Sequence, residues 1–369
     1  MSKQTSEYMT KKISKNTIQE VAQLFQVSAN TLRFYEEKGL LNPSRDRESG
    51  YRHYSQEDLV NIQIILGYRA LDFSISQIQT LMVGQHSKKV LDQFYDQWEA
   101  MNQKIAELSL KRQLLETMMD SLYESEQTQP LEALKEVASI IEERSTLTNQ
   151  WQDRWHFDQW ANHYDRSTLS LNDPLSLFEN YHQVLSQLTK TISADVKNGS
   201  ELLDVGAGTG NLASLLLEEG YNVVAVDQSR QMLQQAKTKL PNLKVCLGNF
   251  LKLPFESGRF EAVVTSYALH HLNEDEKIVA LEEIRRVLKS DGKIYIADFY
   301  FENEASKKHK MDTYNEAQRE GVEDEYFGML DRLEHWCNEK GLSVQKWQMT
   351  DLVWVVKVEN WDCKGINPS

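Results

Sequence analysis

The 369 residues carry 40% apolar side chains, three cysteines and a net charge of −14. That balance argues against a protein that coats nucleic acid, and three scattered cysteines support neither a disulfide framework nor a zinc site. The length suggests two or three domains. No apolar run is long enough to span a bilayer, and the segment MSKQTSEYMTKKISKN has no apolar signal core, so the expected location is the cytoplasm, with no membrane partner.

Charge is unevenly spread. Residues 1–90 hold 12 Lys and Arg against 9 Asp and Glu, a balance of +3, and the remainder carries −17. Phosphate contacts are therefore expected in the first quarter. Thr17 caps a helix there, and Glu20 completes a capping box. Ile18, Val21, Ala22, Leu24 and Phe25 give it an apolar face. After the QVS turn, Ser28 caps a second helix through about Lys38, and Gly39 ends it. Two short helices about a tight turn form a helix-turn-helix, a pattern that any small helical pair can give. Arg45, Arg47, Tyr51, Arg52 and Tyr54 then form a basic, aromatic wing before further helices. With its Val-Ser turn, TLRFYE, Gly-Leu and GYRHY, the stretch 17–82 resembles the MerR family of transcriptional regulators. Phe34 stands where that family usually has Tyr. The resemblance implies a winged helix-turn-helix domain over 1–86 with promoter DNA as its partner. Ser28, Asn30 and Thr31 would face the major groove. Arg33, Tyr35, Arg45, Tyr51 and Arg52 would touch phosphates or sugars.

Residues 87–125 read as one long helix. Phe94, Met101, Leu108, Leu115 and Leu122 recur every seven residues, and Leu91, Trp98, Ile105 and Met119 supply a second stripe. This is a coiled-coil seam with a weak point at Arg112, or else a helix packed on its own domain. The MerR resemblance implies the former, an antiparallel pair in a homodimer. Cys246, Cys337 and Cys363 lie away from the positions where MerR metal sensors carry cysteines, so no metal is expected.

SEQTQP opens a helical linker over 126–150, and 151–369 forms a further domain. From residue 200, strands alternate with helices: ELLDVGA, NVVAVDQ, LKVCLGNF, EAVVTSY and KIYIADF are strands separated by amphipathic runs. The expected fold is thus α/β with a doubly wound parallel sheet. Gly206, Gly208 and Gly210 are spaced G-x-G-x-G rather than as in a dinucleotide loop, because Asn stands at 211. Asp204, ending the first strand, suits a cation and would repel a pyrophosphate. Asp227, ending the second, is placed to accept from both ribose hydroxyls. S-adenosylmethionine (SAM), with a ribose and an amino acid but no phosphate, matches that chemistry.

Residues 200–300 also resemble class I SAM-dependent methyltransferases, through LLDVGAGTG, AVDQS, GNFLKLPFESGRFEAVVTSYALHHL and LKSDGKIYIADF. The resemblance implies a Rossmann-like, seven-stranded, mostly parallel sheet. It adds Gln228, Asn249, Phe250 and Ser266 to the cofactor site, Asn249 replacing the usual Asp. WANHYDRS resembles the N-terminal cover of these enzymes, with Tyr164 closing over the methionine end, or it is plain packing. SVQKWQM and LVWVVKVE read as two closing antiparallel strands. The helical insertion 301–340, with Tyr314, Tyr326, Phe327 and Trp336, lies where related enzymes form the acceptor pocket.

Methyl transfer from a sulfonium needs alignment and exclusion of water, and a base only where the acceptor must lose a proton. His270 and His271 are the candidates, or else packed turn residues. No NPPY or DPPY follows the fourth strand, so a nucleic-acid amine acceptor is not indicated. Two readings remain: a regulator that also methylates a small molecule, and a regulator whose second domain only senses SAM, its demethylated product or another ligand.

Overall fold

The computed structural model describes residues 16–47, 49–83, 87–124, 155–167 and 174–360. They divide into two compact units, Met1–Ala100 and Met101–Ser369. The linker expected at 126–150 lies outside the described residues.

In the first unit, α1 (Ile18–Leu24) and α2 (Ala29–Glu37) form the helix-turn-helix. The capping box forms as expected, with Thr17 N–H donating to Glu20 Oε2 at 2.7 Å and Glu20 N–H to Thr17 Oγ1 at 3.3 Å. Ser28 Oγ accepts from Thr31 N–H at 3.0 Å. Gly39 closes α2 at φ 70°, a conformation that costs glycine little. Strands β1 (Ser44–Arg45) and β2 (Arg52–His53) pair antiparallel as the wing, and α3 (Gln56–Ala70) and α4 (Ile75–Val83) follow. The core gathers Val21, Leu32, Tyr35, Tyr54, Ile62, Ile65, Phe73 and Ile78.

Helix α5 (Ser87–Glu124) is the long helix expected from the heptads. In the first unit Phe94 packs edge-on to Phe73 at 5.2 Å, and Gln97 Nε2 donates to the Leu71 carbonyl at 2.8 Å. In the second unit its buried face is Asn102, Ala106 and Ser109, spaced i, i+4, i+7 as one helical stripe. Asn102 Nδ2 donates to the Leu247 carbonyl at 2.7 Å and reaches Cys246 Sγ at 3.3 Å. Leu91, Phe94, Ile105, Leu108, Leu115 and Met119, all seam positions, are exposed. The helix therefore packs on its own chain, through the heptad residue Phe94 in the first unit and, in the second, along a face the heptad does not mark.

The second unit is built on a sheet of order β5-β4-β3-β6-β7-β10-β9. Its strands are β3 (Glu201–Val205), β4 (Asn222–Asp227), β5 (Lys244–Leu247), β6 (Phe260–Ser266), β7 (Leu288–Phe301), β9 (Leu342–Gln348) and β10 (Val353–Asn360). The first five run parallel, and β10 pairs antiparallel with both β7 and β9. That is the expected set of seven. A two-residue β8 (Gly328–Met329) adds to the end of β7. Strands β3 to β7 read as apolar runs because both faces are buried. Short helices α6 (Phe157–Trp160) and α7 (Tyr164–Ser167) precede α8 (Tyr181–Asp195). Then α9 (Asn211–Glu218), α10 (Arg230–Lys239) and α11 (Glu274–Val287) alternate with the strands. The insertion before β9 holds α12 (Glu304–Thr313), α13 (Glu316–Glu323) and α14 (Leu330–Glu339). From β3 the chain winds outward to β4 and β5, then returns to β6 on the other side. Such a reversal leaves a crevice at the carboxyl ends of the strands, where ligands bind in open α/β sheets. Among the described residues no helix is long and apolar enough to cross a membrane.

Candidate functional site

The crevice is a cavity lined by Phe157, Tyr164, Gly206, Gly208, Asp227, Gln228, Met232, Gly248, Asn249, Phe250, Leu251, Tyr267, Ala268, His271 and Leu272. Of the residues the sequence predicts for the site, Tyr164, Gly206, Gly208, Asp227, Gln228, Asn249, Phe250 and His271 are in this lining. Asp204, Gly210, Ser266 and His270, also expected at the site, are not among the lining residues.

Gly206 shows why the loop is glycine. At φ 72° a Cβ there would sit 2.5 Å from Ala268 Cβ and 3.1 Å from the Phe250 ring. Asp227 is held at the end of β4 by Gly208 N–H on Oδ2 and Ser229 N–H on Oδ1, both at 2.8 Å. Asp204 is fully buried, and neither of its oxygens has a hydrogen-bond partner among the described residues. Burial, reinforced by Asp227, pushes the Asp204 carboxyl up to about 7. Burial raises Asp227 to about 6 against the pull of those backbone donors. Unpartnered buried carboxylates are costly, and a ligand bringing a cation and hydroxyl donors would relieve that cost. Asn249 Oδ1, expected to accept from an adenine amine, already accepts from Leu251 N–H at 3.1 Å. A carbonyl has a second lone pair for a further donor.

The segment 253–255, which follows Asn249 and Phe250, is fastened from α11. Glu283 and Arg286 pair at 2.8 Å with 4% and 1% of their side chains exposed. Arg286 also donates to the carbonyls of Phe255 at 2.8 Å and Leu253 at 2.9 Å, and Glu283 Oε2 accepts from Leu253 N–H at 3.2 Å.

The segment 155–167 covers the crevice. Asp158 Oδ1 accepts from Ser229 Oγ at 2.6 Å. Asp165 accepts from Thr209 Oγ1 at 2.5 Å, Asn211 Nδ2 at 3.1 Å and Lys239 Nζ at 2.8 Å. Phe157 and Tyr164 line the cavity, whose free volume is about 60 Å³, against the roughly 300 Å³ at which small-molecule sites begin. Neither latch was legible, because acids in a polar stretch read as solvated.

The two histidines part company. His270 is 4% exposed, and its Nδ1 meets Asp298 Oδ1 at 2.6 Å. Asp298 also accepts from the N–H groups of Ala268, Leu269 and Phe299. His270 is thus the packed turn residue, and the base role is corrected for it. His271 lines the cavity, with Trp155 at 4.6 Å and Phe157 at 4.9 Å between ring centroids. Its Nδ1 meets Glu325 Oε2 at 3.1 Å. A ring nitrogen of His270, a ring nitrogen of His271 and a carboxylate oxygen of Glu325 lie within 4.8 Å of one another.

In the first unit Ser28, Asn30, Arg33, Arg45 and Tyr51 are exposed, and Thr31 and Arg52 are half-buried. Arg33 donates to Asn30 Oδ1 at 2.8 Å. Arg45 and Arg52 share Glu36, at 2.7 and 2.5 Å. Tyr35, expected at the DNA backbone, is a correction. It is 5% exposed and packs in the core because it falls on the inner stripe of α2 with Leu32.

A MerR HTH family regulatory protein model matches residues 16–85, and a methyltransferase domain model matches residues 203–296. An uncharacterized methyltransferase of Alkaliphilus oremlandii is 36% identical over 205 residues, covering 54% of this chain and 94% of that protein. One from Staphylococcus carnosus is 32% identical over 207 residues, covering 55% and 96%. A putative SAM-dependent methyltransferase of Methanococcus maripaludis aligns over 59% of this chain and all of its own, at 19% identity and a TM-score of 0.41. The DhpI complex with SAM and HEP aligns over 55% and 94%, at 16% identity and a TM-score of 0.44.

Proposed function

Because this chain belongs to the methyltransferase family and carries a MerR helix-turn-helix domain at its N-terminus, we propose that it is a homodimeric, cytoplasmic regulator that also methylates a small molecule. DNA binding rests on the MerR domain, and SAM is the cofactor of the second. The observation that carries the reading is the pair of buried carboxylates near the ends of β3 and β4, Asp227 in the cavity wall beside the glycine loop and Asp204 with no close hydrogen-bond partner among the described residues. Asp227 accepts from the ribose hydroxyls. Asp204 and the Gly206–Gly210 loop hold the methionine part, and Asn249 with Phe250 flanks the adenine. Gln228 borders the ribose, and Ser266 supports the loop from the end of β6. When bound, SAM supplies an electrophilic methyl group on a sulfonium. The chain orients it and excludes water by closing Phe157 and Tyr164 over the crevice. The exposed apolar stripe of α5 supports pairing with a second copy. Purified protein incubated with SAM and a metabolite extract should form demethylated SAM. Binding of SAM with no turnover of any extract would make the domain a sensor.

For DNA, we place Ser28, Asn30 and Thr31 at the major groove, with Arg33, Arg45, Tyr51 and Arg52 at the backbone. Arg33→Ala should weaken binding across sequences and lower the salt slope by about one. Arg52→Ala should do the same, since it also leaves Glu36 facing the phosphates. Gel-shift titrations at several salt concentrations measure this, and an unchanged slope would remove the residue from the interface.

A further inference from the structure

We propose that His271 and Glu325 form a proton-accepting dyad in the acceptor subsite, and that the subsite takes a neutral ring compound methylated on a hydroxyl oxygen; this rests on the methyltransferase reading above. His271 sits in the wall of the same cavity as Asp227 and Gly206, next to Ala268 and Leu272. Its Nδ1 lies 3.1 Å from Glu325 Oε2. With the N–H of Nδ1 donated to that carboxylate, Nε2 keeps its lone pair. A carboxylate that fixes the tautomer and stabilises the imidazolium is the arrangement that makes a histidine a general base. Burial and the neighbouring His270 hold His271 below the usual imidazole value despite Glu325, so at neutral pH it is the acceptor form.

The surroundings narrow the acceptor. Trp155 and Phe157 lie against the His271 ring, and Tyr326 stands edge-on to Trp155 at 6.4 Å. Apolar rings of this kind accept a flat partner. Glu325 carries negative charge beside His271, and the nearby Lys277 is already engaged by Glu274 at 3.0 Å and by the Tyr326 carbonyl at 2.6 Å. An anionic carboxylate or phosphate acceptor meets repulsion there. An amine in its free-base form is a nucleophile without help, whereas a hydroxyl must shed its proton, which is what a base placed here supplies. In the step, an oxygen lone pair bonds to the methyl carbon and the carbon–sulfur electrons return to sulfur. The hydroxyl proton goes to His271 Nε2, and later to solvent. The positive charge of the sulfonium leaves as that proton, so the step balances. Glu325 is a positioning residue and His271 the catalytic one.

The test uses the full-length protein. Calorimetry with S-adenosylhomocysteine comes first; a wild-type protein that does not bind it fails the methyltransferase reading, not the dyad. With binding established, phenol, aniline, benzoate and thiophenol are compared as acceptors by release of demethylated SAM. Phenol should be the preferred substrate. Glu325→Gln should lower kcat on it by about 10²-fold, the low end of what a positioned base contributes. The same change should lower the pKa of His271, followed by NMR of labelled histidine, and move the acid limb of the rate profile to lower pH. Glu325→Asp should restore part of the rate. Preference for aniline, benzoate or thiophenol, no turnover of phenol by protein that binds S-adenosylhomocysteine, or a His271 titration unchanged in Glu325→Gln would each overturn the proposal.

Discussion

Arg286→Ala is expected to destabilise the second unit by about 3–5 kcal/mol, the range for breaking a buried ion pair by removing one partner. The Glu283 carboxylate, 4% exposed, would lose its guanidinium, and the carbonyls of Leu253 and Phe255 would lose their donors. For a domain of this size each kcal/mol shifts Tm by about 2–4 °C, so thermal unfolding should fall by roughly 10 °C. Replacing both partners with apolar residues, as in Glu283→Leu with Arg286→Met, should recover only part of the loss, because no charge is stranded but the Leu253 and Phe255 carbonyls and the Leu253 N–H still lack partners. A single variant that melts with the wild type would show that the pair is not what fixes residues 253–255.

Asp227→Ala is expected to weaken SAM binding tenfold or more. A hydrogen bond to a charged group is worth about 1.5–3 kcal/mol, and every 1.4 kcal/mol is about tenfold in affinity. Calorimetry giving equal affinities for wild type and variant would sink the assignment. The same carboxylates set a pH dependence. Asp204 is raised from 3.8 to about 7, and Asp227 to about 6. A native carboxyl raised above its unfolded value binds more protons than the unfolded chain does between the two values. Ligand-free stability from these groups therefore falls as pH rises through that window. Asp204→Asn should remove most of that fall and raise the ligand-free Tm at pH 8. SAM, a cation, binds the ionised forms, so its affinity should decline as pH is lowered from 8 toward 6.

Local signals were legible wherever one stretch of chain decides the outcome. Thr17 with Glu20, and Ser28, cap the helices the sequence assigns them, and the apolar runs ending at Asp204 and Asp227 are the strands that place them. What was hidden depends on partners far along the chain. Glu325 lies 54 positions from His271, inside an acidic run that reads as solvated surface. Asp298 claims His270 only because β7 runs beside β6. On α5 the heptad periodicity pointed to one face, and the polar-looking stripe of Asn102, Ala106 and Ser109 is the one that is buried. Tyr35 matched a DNA-binding pattern but falls three positions after Leu32, on the face of α2 that packs in the core.

The central claim is that the two domains act on one another. In the second unit, Asn102 of α5 donates to the Leu247 carbonyl, two residues before Asn249. A ligand shifts DNA affinity only if it binds the two conformations differently, and the coupling must be reciprocal. The most direct measurement is a pair of titrations on the purified protein, one of its promoter DNA with and without SAM, the other of SAM with and without that DNA. A coupling of about 1–3 kcal/mol, roughly 5- to 150-fold and equal in both directions, is predicted. Identical affinities in all four titrations would contradict the account and leave two independent domains on one chain.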